Sequence, residues 1–167
     1  MKKTIRLGAF ALVLATVLLM ITVQRAYSPL YGSVRSDDVK PDIWWTSGQL
    51  VLAPQKLQIS FSTTNQRRIS VYVLDSTAFQ KWSQTHELSP TIAIENTSSH
   101  MGTYDIPARG IYTILIRNVD ESPTETEIGL TAYGYEIDLL IATASLAIAG
   151  TALIAVQQLR KPKQKED

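Results

Sequence analysis

The stretch Ile137–Val156, IDLLIATASLAIAGTALIAV, constrains this chain more than any other, because it runs for twenty residues with one charge, Asp138, at its start. At ~1.5 Å rise per residue a helix of that length covers ~30 Å, the hydrocarbon thickness of a bilayer. A helix buried in a soluble domain carries a polar stripe, whereas only Thr143, Ser145 and Thr151 interrupt this run. The residues predict a membrane-spanning helix. Asp138 and the preceding Glu136 fall at its N-terminal end, where water reaches a carboxylate and negative charge suits the helix dipole, so they are read as interfacial rather than as an ion path.

The other end of the chain, MKKTIRLGAFALVLATVLLMITV, holds a second uncharged run, Leu7–Val23, behind Lys2, Lys3 and Arg6. A cleaved signal peptide has an apolar core of roughly 7–15 residues and a small-x-small cleavage site. The nearest candidate, Gln24-Arg25-Ala26, puts a large amide where a small residue is wanted, and the run is long for a signal. An uncleaved signal-anchor helix is expected, with a removed signal peptide as the alternative. Lys2, Lys3 and Arg6 lie before the first run and Arg160, Lys161 and Lys163 after the second, so the positive-inside tendency places both termini in the cytoplasm and the middle outside. Tyr27, Tyr31, Tyr133 and Tyr135 suit an aromatic belt at the outer interface, or are ordinary strand and loop aromatics. The expected organisation is a basic N-terminus 1–6, a signal-anchor helix 7–23, a membrane-proximal arm 24–47, an extracytoplasmic domain 48–136, a transmembrane helix 137–156 and a basic tail 157–167.

Charge and cysteine narrow the role. Residues 24–136 carry nine Lys or Arg against twelve Asp or Glu, a net of −3, which argues against nucleic-acid binding, since that needs a basic face. There is no cysteine, so disulfides, thiolate metal sites and cysteine nucleophiles are excluded. Both apolar runs carry small residues that let helix backbones approach closely: Gly8, Ala11 and Ala15 in the first, Ala142, Ser145, Ala149 and Ala152 in the second. These are the expected packing faces, toward each other or toward a partner's helices.

Between the runs the pattern is that of strands. Lys56–Thr63 alternates cleanly, with Leu57, Ile59 and Phe61 on one side, and Arg68–Leu74 repeats this with Ile69, Val71 and Val73. The TNQR link at Thr64–Arg67 suits a hairpin. Asp75 or Ser76 caps a short helix, Thr77–Gln84, on which Phe79 and Trp82 share a face and plug one end of the domain. Further strands are expected at Gln49–Ala53, Thr91–Asn96, Gly102–Ile106, Gly110–Asn118 and Thr126–Tyr135. About seven short strands with one helix predict a mainly β fold, an antiparallel Greek-key β-sandwich flanked by the two transmembrane helices.

Two stretches, RRISVYVLDSTAFQKWSQ and PARGIYTILIRNVDESPTETEIGLTAYGY, resemble small exported β-sandwiches anchored by membrane helices. The first is similar to their strand followed by a short helix. The second is similar to their penultimate hairpin, where a Gly-x-Tyr strand ends in Asn. With a last strand running into a membrane helix, the plan resembles the lumenal GOLD-type sandwich of cargo-receptor proteins over Leu57–Tyr135. The chain departs from that family in lacking its cysteine pair and the long helical region before the membrane, so coat binding by the tail is not carried over. The resemblance implies an interaction module without catalytic residues.

No catalytic constellation emerges from the residues themselves. His86 and His100 are the only histidines, and both are read as loop residues rather than zinc ligands. No serine lies in a nucleophile elbow and no glycine-rich phosphate loop occurs. The pairs Asp37-Asp38 and Asp120-Glu121 lack the spacing of a calcium loop. No cofactor or metal is expected. Asn96-Thr97-Ser98 is a glycosylation sequon in the outward segment. The adjacent aromatics Trp44 and Trp45, together with Trp82, are the candidate contacts for a ligand or partner. The expected role is a non-catalytic, membrane-anchored accessory or assembly subunit, in contact with lipid and with other membrane subunits or copies of itself. A cell-surface module that binds glycan or peptide is the alternative.

Overall fold

The computed structural model describes residues 2–41 and 43–159, except the side chains of Lys2 and Asp37. Met1, Asp42 and residues 160–167 lie outside that description, and with them the tail charges Arg160, Lys161 and Lys163 and the Asp37 side chain of the acidic pair. The chain forms two compact units, one built from its two terminal helices and the other from Ser28–Gly134.

The first unit pairs α1, Lys2–Ala26, with α3, Ile137–Leu159. Both are long and apolar enough to cross a membrane. The second unit holds eight strands among the described residues: β1 Leu30–Val39, β2 Trp44–Leu52, β3 Lys56–Thr63, β4 Ile69–Asp75, β5 Ile92–Thr97, β6 Ser99–Asp105, β7 Gly110–Asn118 and β8 Thr124–Tyr133. One helix, α2 at Ser76–Thr85, follows β4. Its N-cap is Asp75, whose carboxylate accepts from the Ala78 N–H at 2.8 Å, and His86 in the left-handed region closes it.

The strands form two antiparallel four-stranded sheets, β1-β8-β3-β6 and β2-β7-β4-β5. They face each other across one core in which Leu57, Ile59 and Phe61 of β3 and Ile128 and Leu130 of β8 meet Ile69, Val71 and Val73 of β4 and Ile114 and Ile116 of β7. The fold is therefore mainly β and sandwich-like. Alternation explains the first sheet, whose outer face carries Gln58, Ser60, Glu127 and Thr131. It does not explain β4, where every residue from Ile69 to Leu74 is buried. The second sheet is covered on both sides: a smaller core of Tyr72, Leu74 and Leu115 lies on its outer face, roofed by Trp44, Phe79, Trp82 and Leu88.

Four expectations are corrected. Residues 24–47, expected as an arm ahead of the domain, hold β1 and the first four residues of β2. The period-two pattern was hidden because β1 is an edge strand whose inward positions include Gly32 and Ser36 beside Val34. The strand count is eight rather than seven for the same reason. The TNQR link joins strands of different sheets, so β3 and β4 form no hairpin, and β7 and β8 likewise belong to different sheets. Finally, Phe79 and Trp82 cover the outer face of the second sheet instead of plugging an end, because α2 lies flat over β4 and β7.

Candidate interaction surfaces

The helix pair is built on a seven-residue spacing. Glu136, Thr143, Gly150 and Gln157 are buried from α3 and its entry, while Gly8, Ala15 and Thr22 are buried from α1. Lipid supplies no hydrophobic drive between helices, so their association rests on close packing and on polar pairs. Packing is closest at two glycines. A Cβ on Gly8 would lie 2.8 Å from Ile154 Cγ1 and 2.9 Å from the Gly150 carbonyl oxygen, and one on Gly150 would lie 2.9 Å from the Gly8 carbonyl oxygen. The polar pair is at the other end, where Arg25 Nε lies 2.8 Å from Glu136 Oε1. Glu136 is 1% exposed and Arg25 45% exposed, so the guanidinium caps a carboxylate withdrawn from solvent. Just beyond, a hydrogen bond to Tyr27 raises the Tyr135 phenol above its ordinary value by favouring the protonated form.

Of the small residues singled out, Gly8 and Ala15 are buried in this seam and Ala11 is half-buried. Ala142, Ser145, Ala149 and Ala152 are all exposed, one or two positions away from the buried Thr143 and Gly150. The seam on α3 uses Thr143, Gly150 and Gln157 instead. The missed signal was the heptad spacing of polar and small residues beginning at Glu136, which counting alanines overlooked. Asp138 sits half-buried in the first turn, with its carboxylate accepting from the Leu139 N–H at 2.9 Å.

The three tryptophans are engaged in packing. Trp44 lies 5.6 Å from Trp82 and 5.7 Å from Tyr72, and the Arg117 guanidinium carbon stands 5.6 Å from its ring centre. Trp45 packs against the main core. All three are half-buried. Burial raises the pKa of the Tyr72 phenol, which donates to Glu95 at 3.0 Å.

His86 caps α2, whereas His100 is on β6 and not in a turn. The ring of His100 stacks on Tyr104, with Nε2 2.8 Å from the Tyr104 hydroxyl, and lies 5.8 Å from the Phe61 ring. Among the described residues no three His, Cys, Asp or Glu are grouped to hold a metal. Asn96 is exposed at φ 53°, in a bulge of β5. Asp120 accepts from the Arg68 backbone N–H at 2.7 Å and from its guanidinium at 2.9 Å, which holds its carboxyl below the usual range. Buried Asn118 donates to the carbonyls of Val39 at 2.8 Å and Ser122 at 2.7 Å and accepts from the Asp120 N–H, tying the end of β1 to the β7–β8 turn. The outer face of the first sheet bears an open cavity of about 440 Å³ around Ser60, Ser62, Met101, Glu127 and Gly129.

No family model matches the chain, and no curated protein does. Among solved structures, the pre-peptidase C-terminal domain of collagenase from Bacillus anthracis is similar at a TM-score of 0.47 and 10% identity, over 60% of this chain and 89% of that domain. The SPBc2 prophage-derived protein YomS is similar at 0.38 and 16% identity, over 62% of this chain and 94% of that one. The coat protein of Tobacco streak virus gives 0.31 and 6% identity, over 65% of this chain and 88% of the other. These are likenesses of shape only.

Proposed function

We propose that the chain is a non-catalytic, double-pass membrane protein that presents its β domain outside the membrane as an accessory or assembly subunit. The observation that carries this reading is the seam between α1 and α3. A first helix destined for removal needs no glycine contact with the last helix and no guanidinium over its buried Glu136, yet α1 supplies both. The pair therefore acts as one structural element. Its exposed face, with Ala142, Ser145, Ala149 and Ala152, is left for lipid or for the helices of other subunits. Lys3 and Arg6 at one end of α1 support cytoplasmic termini.

The strand orders β1-β8-β3-β6 and β2-β7-β4-β5 support the Greek-key reading in its doubled form, the eight-stranded jelly roll. Purification of the intact protein in mild detergent tests the proposed role. Association with itself or with a second membrane protein is expected, and a strictly monomeric particle with nothing bound would sink the reading. The alternative, a glycan- or peptide-binding surface module, draws on the open cavity of the first sheet rather than on the tryptophans. It requires that Glu127→Ala or Met101→Ala weaken binding of a defined ligand to the full chain.

A further inference from the structure

Four strands form sheet edges: β1 and β6 in the first sheet, β2 and β5 in the second. An open edge presents unpaired N–H and C=O groups and pairs with other strands unless it is bulged, charged or covered. Three of the four edges are guarded. β1 runs seven unbroken pairs from Leu30 to Ser36 but carries the exposed Arg35 there and breaks register before Val39, β2 breaks register between Thr46 and Gln49, and β5 bulges at Asn96. The fourth edge is not. β6 runs SHMGTYD in unbroken register with β3 over seven residue pairs, from Asp105 opposite Lys56 to Ser99 opposite Ser62. It contains no proline and no lysine, and its one acid, Asp105, is neutralised by Lys56 at 2.6 Å. Met101, in its middle, is 75% exposed.

The direction of the free groups follows from the ladder. The N–H of Thr63 donates to the Ser98 carbonyl and that of Ile106 to the Gln55 carbonyl, which fixes the even-numbered residues of β6 as those bonded to β3. Hydrogen-bonded and non-hydrogen-bonded pairs alternate along an antiparallel ladder, so the odd-numbered Ser99, Met101, Thr103 and Asp105 aim their backbone groups outward. The Ser99 carbonyl already accepts from the Thr97 hydroxyl at 2.7 Å and has one lone pair left.

We propose that β6 is a docking edge for a second copy of this chain, joined antiparallel about a twofold axis at Gly102. This reading names the partner for the assembly role proposed above and rests on it. The strand is complementary to itself about that residue. Met101 falls opposite Thr103 of the other copy and Ser99 opposite Asp105, so odd faces odd and every outward N–H meets an outward C=O. No two like charges oppose each other. Gly102 occupies the axis as a non-hydrogen-bonded pair, where the backbones come nearest, ~4.5 Å between Cα atoms. Its missing side chain matters there, since a Cβ would already strike the His100 ring at 2.5 Å. A twofold, isologous contact of this kind closes on itself and extends the first sheet across two copies.

The test uses the full chain in mild detergent. The protein has no cysteine, so introduced thiols are unique. Two differently tagged copies, M101C and T103C, are co-expressed and oxidised. Paired Cα atoms ~5.5 Å apart are within disulfide reach, so a covalent dimer carrying both tags is expected. M101C alone, and T103C with V51C on the guarded edge of β2, should give none. M101K, a charge at an exposed position that leaves the core alone, should weaken the dimer at least ~10-fold by sedimentation without changing the thermal melt. Association that survives M101K with no disulfide between the M101C and T103C copies overturns the β6 edge and leaves the assembly role standing. A disulfide from β6 to a different protein overturns the second copy as occupant. A monomer with nothing bound overturns both.

Discussion

Arg25 and Glu136 sit 111 residues apart in sequence and form an ion pair at 2.8 Å, with the carboxylate 1% exposed and the guanidinium open to solvent. That asymmetry makes the two partners unequal. Removing Arg25 takes a guanidinium away from a carboxylate withdrawn from solvent, whereas removing the charge of Glu136 leaves a solvated arginine. Arg25→Leu is expected to weaken the helix pair by about 1–3 kcal/mol and Glu136→Gln by less. Unfolding in a detergent titration of the two variants checks the order, and equal losses would contradict it.

At the other end of the seam the contact is steric. Gly150→Val places branched carbon against the Gly8 carbonyl and Leu12, which a Cβ alone would approach to 2.9 and 3.0 Å. Ala149→Val puts the same side chain on an exposed face. Separation of α1 from α3, read as loss of a disulfide between cysteines placed on the two helices, is expected for the first variant and not for the second.

The second, smaller core contributes to the stability of the β domain. Leu115 is fully buried beneath Trp44 and Trp82. Leu115→Ala is expected to cost about 2–5 kcal/mol and Trp82→Ala about 2–4, read from thermal or urea unfolding. A Trp82→Ala variant with unchanged stability would contradict that contribution.

Asn118 is the pin between β1 and the β7–β8 turn. Asn118→Ala leaves the Val39 and Ser122 carbonyls without their donor, at a cost of about 1–3 kcal/mol. Hydrogen exchange should rise first in the last residues of β1, and uniform protection would argue against the pin.

Asp120 adds a dependence on acid. Its folded-state pKa lies below the ordinary 3.8 because of bonds from the Arg68 backbone and side chain. The stabilisation it brings is complete above that ordinary value and is lost as pH falls through the lower folded-state value. Asp120→Asn should therefore flatten the fall in the urea midpoint below about pH 4 and leave its shape near neutrality unchanged.

Much of this architecture was legible in single stretches. Lys56–Thr63 and Gly110–Asn118 are strands at the bounds their patterns predict, and Asp75 caps its helix, because alternation and capping are local. The edge strand β1 was not legible, because Gly32 and Ser36 stand where an inward face normally shows apolar side chains. The same holds for the seam of α3. Ala142 and Thr143 are neighbours in sequence, and only the phase of α3 against α1 decides that Thr143 is buried and Ala142 is not.

By itself the sequence determined the two apolar helices, the absence of thiol chemistry and the β character of the middle, since each depends on composition or on a short period. The tertiary structure alone decided three things. It divided the strands between two sheets, brought Glu136 to Arg25, and left β6 as a sheet edge with no break in register. These depend on pairings between distant residues, where many registers satisfy the same local pattern and only mutual packing selects one.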